Sequence, residues 1–123
     1  MKKDHVFLEH ILECIDRIEE YLAGIPEREF WSNTQVQDAV VRRLEVIGEA
    51  AKKISEPTRK KYPAIPWSKM AGMRDILIHE YFGVDYTIVW NTCKKSIPEL
   101  KGQLKEVLKD LQAVKKKWCS EKN

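Results

Sequence analysis

The chain is poor in the residues that turn a polypeptide: five glycines and five prolines in 123 positions. An all-β domain needs frequent tight turns and would use more of both. Cysteine is scarce too. Cys14, Cys93 and Cys119 are odd in number, widely spaced and form no Cys-x-x-Cys pair. They read as reduced thiols in a cytoplasmic protein. No stretch approaches the roughly 20 consecutive apolar residues of a membrane span. Met1-Lys2-Lys3-Asp4-His5 leads into a charged amphipathic segment and lacks the apolar centre of a signal peptide. Neither sign of charge dominates: 22 basic and 19 acidic residues leave +3. That balance permits a local nucleic-acid footprint without demanding one, and two copies together would carry about +6.

What is present is amphipathic. Hydrophobic residues make up 43% of the chain and charged residues 33%, the mixture of helices with an apolar stripe inside and charges outside. The length fits one domain, residues 1–123. Residues 3–22 place Phe7, Leu8, Ile11, Leu12, Ile15, Ile18 and Leu22 at helical spacing, and Ala23-Gly24-Ile25-Pro26 ends the run. Ser32-Asn33-Thr34 offers caps for a second long helix striped by Val36, Val40, Leu44, Ile47, Ala51 and Ile54, which Ser55-Glu56-Pro57 closes. Gly48 within it permits close approach of another helix. A basic stretch, Thr58 to Tyr62, predicts a turn or two, and Pro63-Ala64-Ile65-Pro66-Trp67 a rigid connector. A third helix is expected from about Trp67 to Tyr81, broken by Gly83. Asp85 would cap a fourth from Tyr86 to about Lys95. Ser96-Ile97-Pro98-Glu99 then starts or kinks a final helix carrying Leu100, Leu104, Val107, Leu108 and Leu111. Residues from about 115 to 123 form a basic tail expected to fray. The expected fold is all-α, an antiparallel bundle of four to five helices.

The run Arg74-Asp75-Ile76-Leu77-Ile78-His79-Glu80-Tyr81 gathers the groups needed to cut a phosphodiester. An arginine grips phosphate with two parallel hydrogen bonds. A histidine takes and gives protons near neutral pH. On one continuous helix, at roughly 100° per residue, Asp75 and His79 lie about 40° apart, Arg74 and Tyr81 about 20°, and Arg74 and His79 about 140°. Spacing alone therefore does not join Arg74 to His79. A long arginine arm, a helix that tightens before Gly83, or a second subunit would have to do it. Two readings stand here. In one, Asp75 orients His79 and raises its basicity, His79 moves a proton, and Arg74 stabilises charge on the phosphate. In the other, the charges are a solvated network and His79 is a helix C-terminal residue favoured by the dipole.

Arg74, His79 and Tyr81, read as Arg-x4-His-x-Tyr, resemble the signature of HepT-type ribonuclease toxins of the HEPN superfamily. The flanks, residues 43–52 (Arg43 to Lys52) and 65–73 (Ile65 to Met73), are similar as well. The resemblance implies a homodimeric, metal-independent endoribonuclease without a cofactor, its cleft at the dimer interface. It implies the toxin half of a type VII-like toxin–antitoxin pair. The partner would be a nucleotidyltransferase antitoxin of the MntA type that transfers AMP to Tyr81. A phosphate there would sit beside Arg74 and repel RNA. The rival from another class is a non-catalytic helical docking subunit for a nucleotidyltransferase.

Arg42, Arg43, Lys52 and Lys53, with Arg59, Lys60 and Lys61, are candidates for an RNA groove or, more plainly, solvated helix faces. Glu45 and Glu49 interleave with them, and Lys53 is the expected partner of Glu49. His5, His10 and Cys14 provide one i,i+4 pair and no convergent carboxylates, so no metal is expected. Trp31, Trp67, Trp90 and Trp118 suit packing better than base stacking, and Tyr86 and Trp90 lie one helical turn apart.

Overall fold

A computed structural model describes the backbone of residues 3–79 and 83–122, and the side chains among them except Ile76, Ile78, His79 and residues 114–122. The fold is all-α apart from a two-residue ladder. In chain order come α1 (Asp4–Leu22), α2 (Glu27–Ser32), α3 (Thr34–Lys52), α4 (Glu56–Lys61), α5 (Trp67–Ala71), α6 (Met73–Leu77), β1 (Ile78–His79), β2 (Gly83–Val84), α7 (Tyr86–Asn91), a π-helical turn (Thr92–Ser96) and α8 (Ile97–Lys122). No helix among the described residues is long and apolar enough to cross a membrane.

Helix α1 buries Leu8, Ile11, Ile15, Ile18 and Leu22, one stripe at three- and four-residue steps. Gly24 takes a left-handed φ of +72 and turns the chain toward α2. Asn33 caps α3 by accepting from the Val36 N–H at 3.1 Å. The buried Gln37 amide donates to the carbonyls of Phe30 (2.9 Å) and Trp31 (3.1 Å) at the C-terminal end of the short α2, where the Phe30 carbonyl also accepts from the Asn33 N–H (3.3 Å). At the far end of α3, Arg59 reaches back to the carbonyls of Ala51 (2.8 Å) and Ile54 (3.1 Å).

The start of α1 meets the end of α3, so the two run antiparallel. Asp4, only 2% exposed, accepts from the Ser55 N–H (2.9 Å), the Ser55 hydroxyl (2.6 Å) and the Thr58 hydroxyl. It ties the start of α1 to the residues that open α4. Lys101 of α8 bridges Asp16 (3.1 Å) and Glu19 (2.7 Å) of α1. One core unites these helices: Leu8, Ile11, Leu44, Ile47, Leu77 and Leu104 all lie within it, fully buried.

Two expectations from sequence need correction. The single helix from Trp67 to Tyr81 is interrupted at Gly72 and ends at Leu77. The Leu77 carbonyl accepts from the Asp85 N–H at 2.8 Å, so the chain leaves the helix for a ladder that pairs Ile78 with Val84 and His79 with Gly83. Gly83, at a φ of +74, supplies the left-handed conformation that brings the chain back. The separate fourth and fifth helices are, instead, joined. After Asn91 the helix widens into the π turn and passes directly into α8. The widening precedes Pro98, whose ring would otherwise press on the carbonyl four residues back.

Candidate functional site

The motif stands on an elbow between α5 and α6, and the elbow is tightly held. Trp67 is buried and its indole N–H donates to the Tyr62 carbonyl at 3.0 Å, closing the proline-rich connector beneath it. Met70 and Met73 pack into the core. Gly48, in the middle of α3, faces them. A Cβ built on Gly48 would lie 2.9 Å from the Met70 carbonyl oxygen, 3.4 Å from Met73 Cβ and 3.6 Å from the Ala71 carbonyl oxygen. Glycine inside a helix costs roughly 1 kcal/mol against alanine. Here it admits the backbone of the elbow, the close approach its sequence suggests.

With Met73 and Leu77 turned inward, α6 turns Arg74 and Asp75 outward, and both are exposed. His79 occupies the ladder position opposite Gly83, and its side chain lies outside the described residues. Tyr81 lies outside them entirely. The structure therefore joins Arg74 and Asp75 on one short helix and places His79 beyond its end. The i,i+4 pairing of Asp75 with His79, and the common line of Arg74 with Tyr81, both presuppose a helix that runs on past Leu77, where α6 ends. His79 lies in the ladder, so its pairing with Asp75 is not helical geometry.

Behind the ladder, α7 is anchored by aromatic contacts. The Phe30 ring lies 6.3 Å from Tyr86, edge to face, and 5.2 Å from Trp90. Lys94 stands 4.8 Å over the Trp90 ring. Tyr86 and Trp90 thus pack through Phe30. Trp31, beside it, is 47% exposed. Asp85 caps α7, its Oδ1 accepting from the N–H groups of Thr87 (3.0 Å) and Ile88 (3.2 Å). A groove of about 350 Å³ opens on the other side of the elbow, between Lys69, Met70 and Met73 and the π-turn residues Thr92 and Ser96.

The basic residues divide into two kinds. Arg42 and Lys53 are exposed, Arg42 with Glu45 at 3.9 Å. Lys52 pairs with Glu49 at 3.6 Å, the place expected for Lys53. Lys60 pairs with Glu56 at 3.2 Å, and Lys61 lies 5.5 Å from the Tyr62 ring centre. Arg43 turns inward instead. Its Nε donates to the Tyr21 hydroxyl at 3.4 Å and its Nη1 to Cys14 Sγ at 4.0 Å. The Tyr21 and Cys14 contacts hold its guanidinium further above the usual arginine range. Arg59, capping α3, is likewise tied to the fold. Burial pushes the Cys14 thiol up despite Arg43, and pushes the Cys93 thiol up to about 12.

The family described as "Ribonuclease HepT-like" matches residues 11–107, most of the chain. Among curated proteins, one from Methanocaldococcus jannaschii, named by inference as an RNase, is 51% identical over 106 residues, 86% of this chain and 88% of its own. One from Caldanaerobacter subterraneus, named in the same way, is 47% identical over 108 residues, covering 88% and 96% of the two chains. One from Thermococcus cleftensis, named as a probable ribonuclease HepT, is 46% identical over 110 residues, 89% of this chain and all of its own. No solved structure matches the chain.

Proposed function

Since the chain belongs to the HepT-like ribonuclease family and is an endoribonuclease, we propose that it cuts RNA without a metal, through Arg74 and His79. The 2′-oxygen bonds to the scissile phosphorus as the bond from phosphorus to the 5′-oxygen breaks. The 2′-hydroxyl gives up its proton and the departing 5′-oxygen gains one. The products are a 2′,3′-cyclic phosphate and a 5′-hydroxyl. His79 moves a proton in this exchange, and Arg74 balances the charge that builds on the phosphate. The observation that carries the reading is the exposed Arg74 on a short, rigidly seated helix, five residues before the one histidine of the ladder. Arg42, Lys52 and Lys53 supply sequence-independent contacts to the RNA backbone.

The active unit is a homodimer with its cleft between protomers, because α6 alone does not bring Arg74 and His79 onto one stripe. The toxin acts in the cytoplasm and is silenced by an MntA-type nucleotidyltransferase. That partner joins the Tyr81 hydroxyl oxygen to the α-phosphorus of ATP as pyrophosphate leaves. The added phosphate competes with RNA for Arg74.

Purified protein assayed in a chelator should cleave an RNA oligonucleotide and spare its 2′-deoxy counterpart. Equal cutting of both would overturn the mechanism, and cleavage retained by His79→Ala would remove His79 from it. Peptide masses after co-expression with the neighbouring nucleotidyltransferase should show AMP on Tyr81. An inert protein that binds the nucleotidyltransferase tightly would support the docking-subunit alternative.

A further inference from the structure

Where α3 hands over to α4, three cations stand around one open cleft of about 500 Å³: Lys52 at the end of α3, and Arg59 and Lys60 on α4. The buried Ile54 and a single carboxylate, Glu56, complete the lining. Two of the cations are held loosely. Lys60 pairs with Glu56 at 3.2 Å and Lys52 with Glu49 at 3.6 Å, and all four side chains are more than half exposed. Exposed pairs of this kind are worth about 0–1 kcal/mol, so either lysine can exchange its glutamate for another anion.

Arg59 is held firmly, and by one edge. Its Nε donates to the Ile54 carbonyl at 3.1 Å and its Nη2 to the Ala51 carbonyl at 2.8 Å. The segment that carries it is anchored in turn, since Asp4 binds Ser55 and Thr58. A guanidinium presents its N–H donors as a fixed fork, and the two carbonyls occupy the side of it. Nη1 has no hydrogen-bond or ion-pair partner among the described residues. The end of the fork is thus left open on a group whose plane is already set, so little rotamer freedom is lost when an anion binds. Two parallel N–H bonds from such an end match two oxygens of a phosphate.

The cleft lies on the side of α3 that faces the motif. Lys52 stands one helical turn past Gly48 on the same face, about 5–6 Å from it, and Gly48 is where the α5–α6 elbow touches α3. No aromatic ring among the described residues lines the cleft. It offers charge to a backbone and no stacking surface to a base.

We propose that this cleft holds a phosphate of the RNA backbone to one side of the bond that is cut: Arg59 receives it on the open end of its fork, and Lys52 and Lys60 close on it from the two helices. The proposal rests on RNA being the substrate, and not on which residues cut it. A strand whose scissile phosphate lies at Arg74 runs along α3 past Gly48 to reach the cleft, whatever its sequence.

The test is a fluorescence anisotropy titration of the full-length chain with a labelled 2′-O-methyl RNA oligonucleotide at several salt concentrations. That probe carries the phosphates but not the attacking hydroxyl, so binding is read without cleavage. Lys52→Ala and Lys60→Ala should each weaken binding several-fold and reduce the salt slope by roughly 0.7 to 1. Both lysines are exposed, so neither change threatens the fold. Arg17→Ala is the matched control. Arg17 is also an exposed cation paired with a glutamate, Glu20 at 3.1 Å, but it stands roughly 20 Å along α1 from Asp4, and its loss should move the slope by less than about 0.2. Arg59→Lys keeps the charge, yet one ammonium cannot hold both carbonyls and present a fork, so binding should weaken at least as much as in Lys60→Ala. Inorganic phosphate at about 1 mM, at matched ionic strength, should leave the titration unchanged; displacement of the oligonucleotide would mark a site for the free ion and overturn the assignment to RNA. Slopes unmoved by Lys52→Ala and Lys60→Ala while the parent chain binds, or an equal fall in Arg17→Ala, overturn the cleft. A parent chain with no salt-dependent binding overturns both the cleft and the RNA contacts of Arg42 and Lys53. Cleavage retained by His79→Ala would change the catalytic reading and leave this titration as it is.

Discussion

Gly48 and Met70 approach so closely that a single methyl group at position 48 would sit 2.9 Å from the Met70 carbonyl oxygen. That contact sets how far the α5–α6 elbow stands from α3, and hence where Arg74 is presented. Because the opposing atom is backbone, it cannot yield by a rotamer change. Gly48→Ala should lose about 1–3 kcal/mol to overpacking and recover up to about 1 through helix propensity. Its cleavage rate should fall further than stability alone explains. Gly102→Ala is the matched control on α8, with nothing within 4 Å of its new methyl. It should raise stability by about 0.5–1 kcal/mol and leave cleavage unchanged. Urea denaturation and initial rates on both variants check this.

Asp4 gives stability a dependence on pH. Burial pushes its carboxyl up, but hydrogen bonds from the Ser55 hydroxyl, the Thr58 hydroxyl and the Ser55 N–H outweigh burial and hold it below its ordinary value of 3.8. A carboxyl depressed in the folded state stabilises above its unfolded pKa, and that stability is lost as pH falls through the folded value. Asp4→Ala should cost about 1–3 kcal/mol at pH 7, where hydroxyls lose their acceptor. The cost should shrink below about pH 4. Thermal midpoints of both proteins across pH 2.5–7 should converge at the acid end; curves that stay parallel would contradict this role for Asp4.

The two described cysteines should be chemically silent. Cys14 is fully buried and the Cys93 thiol, pushed up to about 12 by burial, holds almost no thiolate at pH 8. Alkylation by iodoacetamide should spare both in the native protein and modify both in denaturant, as read by peptide mass spectrometry.

Arg42 and Arg43 are neighbours with opposite fates. Arg42→Ala should alter stability by less than about 0.5 kcal/mol yet reduce the salt slope of RNA binding by about one. Arg43→Ala should cost about 1 kcal/mol, through lost contacts with Tyr21 and Cys14. Arg43 should matter less for the salt slope than its charge suggests. Fluorescence titration with RNA at several salt concentrations, beside denaturation curves, separates the two.

The long helices were legible because their signals are local. The stripes of α1 and α3, the Gly24 turn, the Asn33 and Asp85 caps and the spare volume at Gly48 all follow from residues a few positions apart. The elbow and ladder were not. Ile76-Leu77-Ile78 fits a buried helix as well as a strand, and what ends α6 is a bond from Asp85, eight residues ahead. The π turn escaped for a related reason, since Thr92 to Ser96 carry no signal distinguishing a wide turn from an ordinary one. At the site, residue type pointed to Arg74 and His79, but the partnership assigned to Asp75 depended on a continuous helix. Asp85 read as a cap and nothing more, because its N–H bond to the Leu77 carbonyl exists only in the folded chain. Arg43 looked like surface charge until Tyr21 and Cys14 met it from α1.

The π turn also bears on how this chain tolerates changes in length. A π turn is an α-helix holding one surplus residue. In a regular helix that residue would rotate everything after it by roughly 100°, carrying Ile97, Leu100 and Leu104 off the core while Tyr86 and Trp90 stayed on Phe30. Thr92–Ser96 absorbs the surplus, so α7 and α8 keep their separate faces within one rod. A relative one residue shorter in this segment could straighten to an ordinary helix and preserve both faces. The segment is thus a place where one residue can be lost while the packing surfaces of α7 and α8 stay where they are.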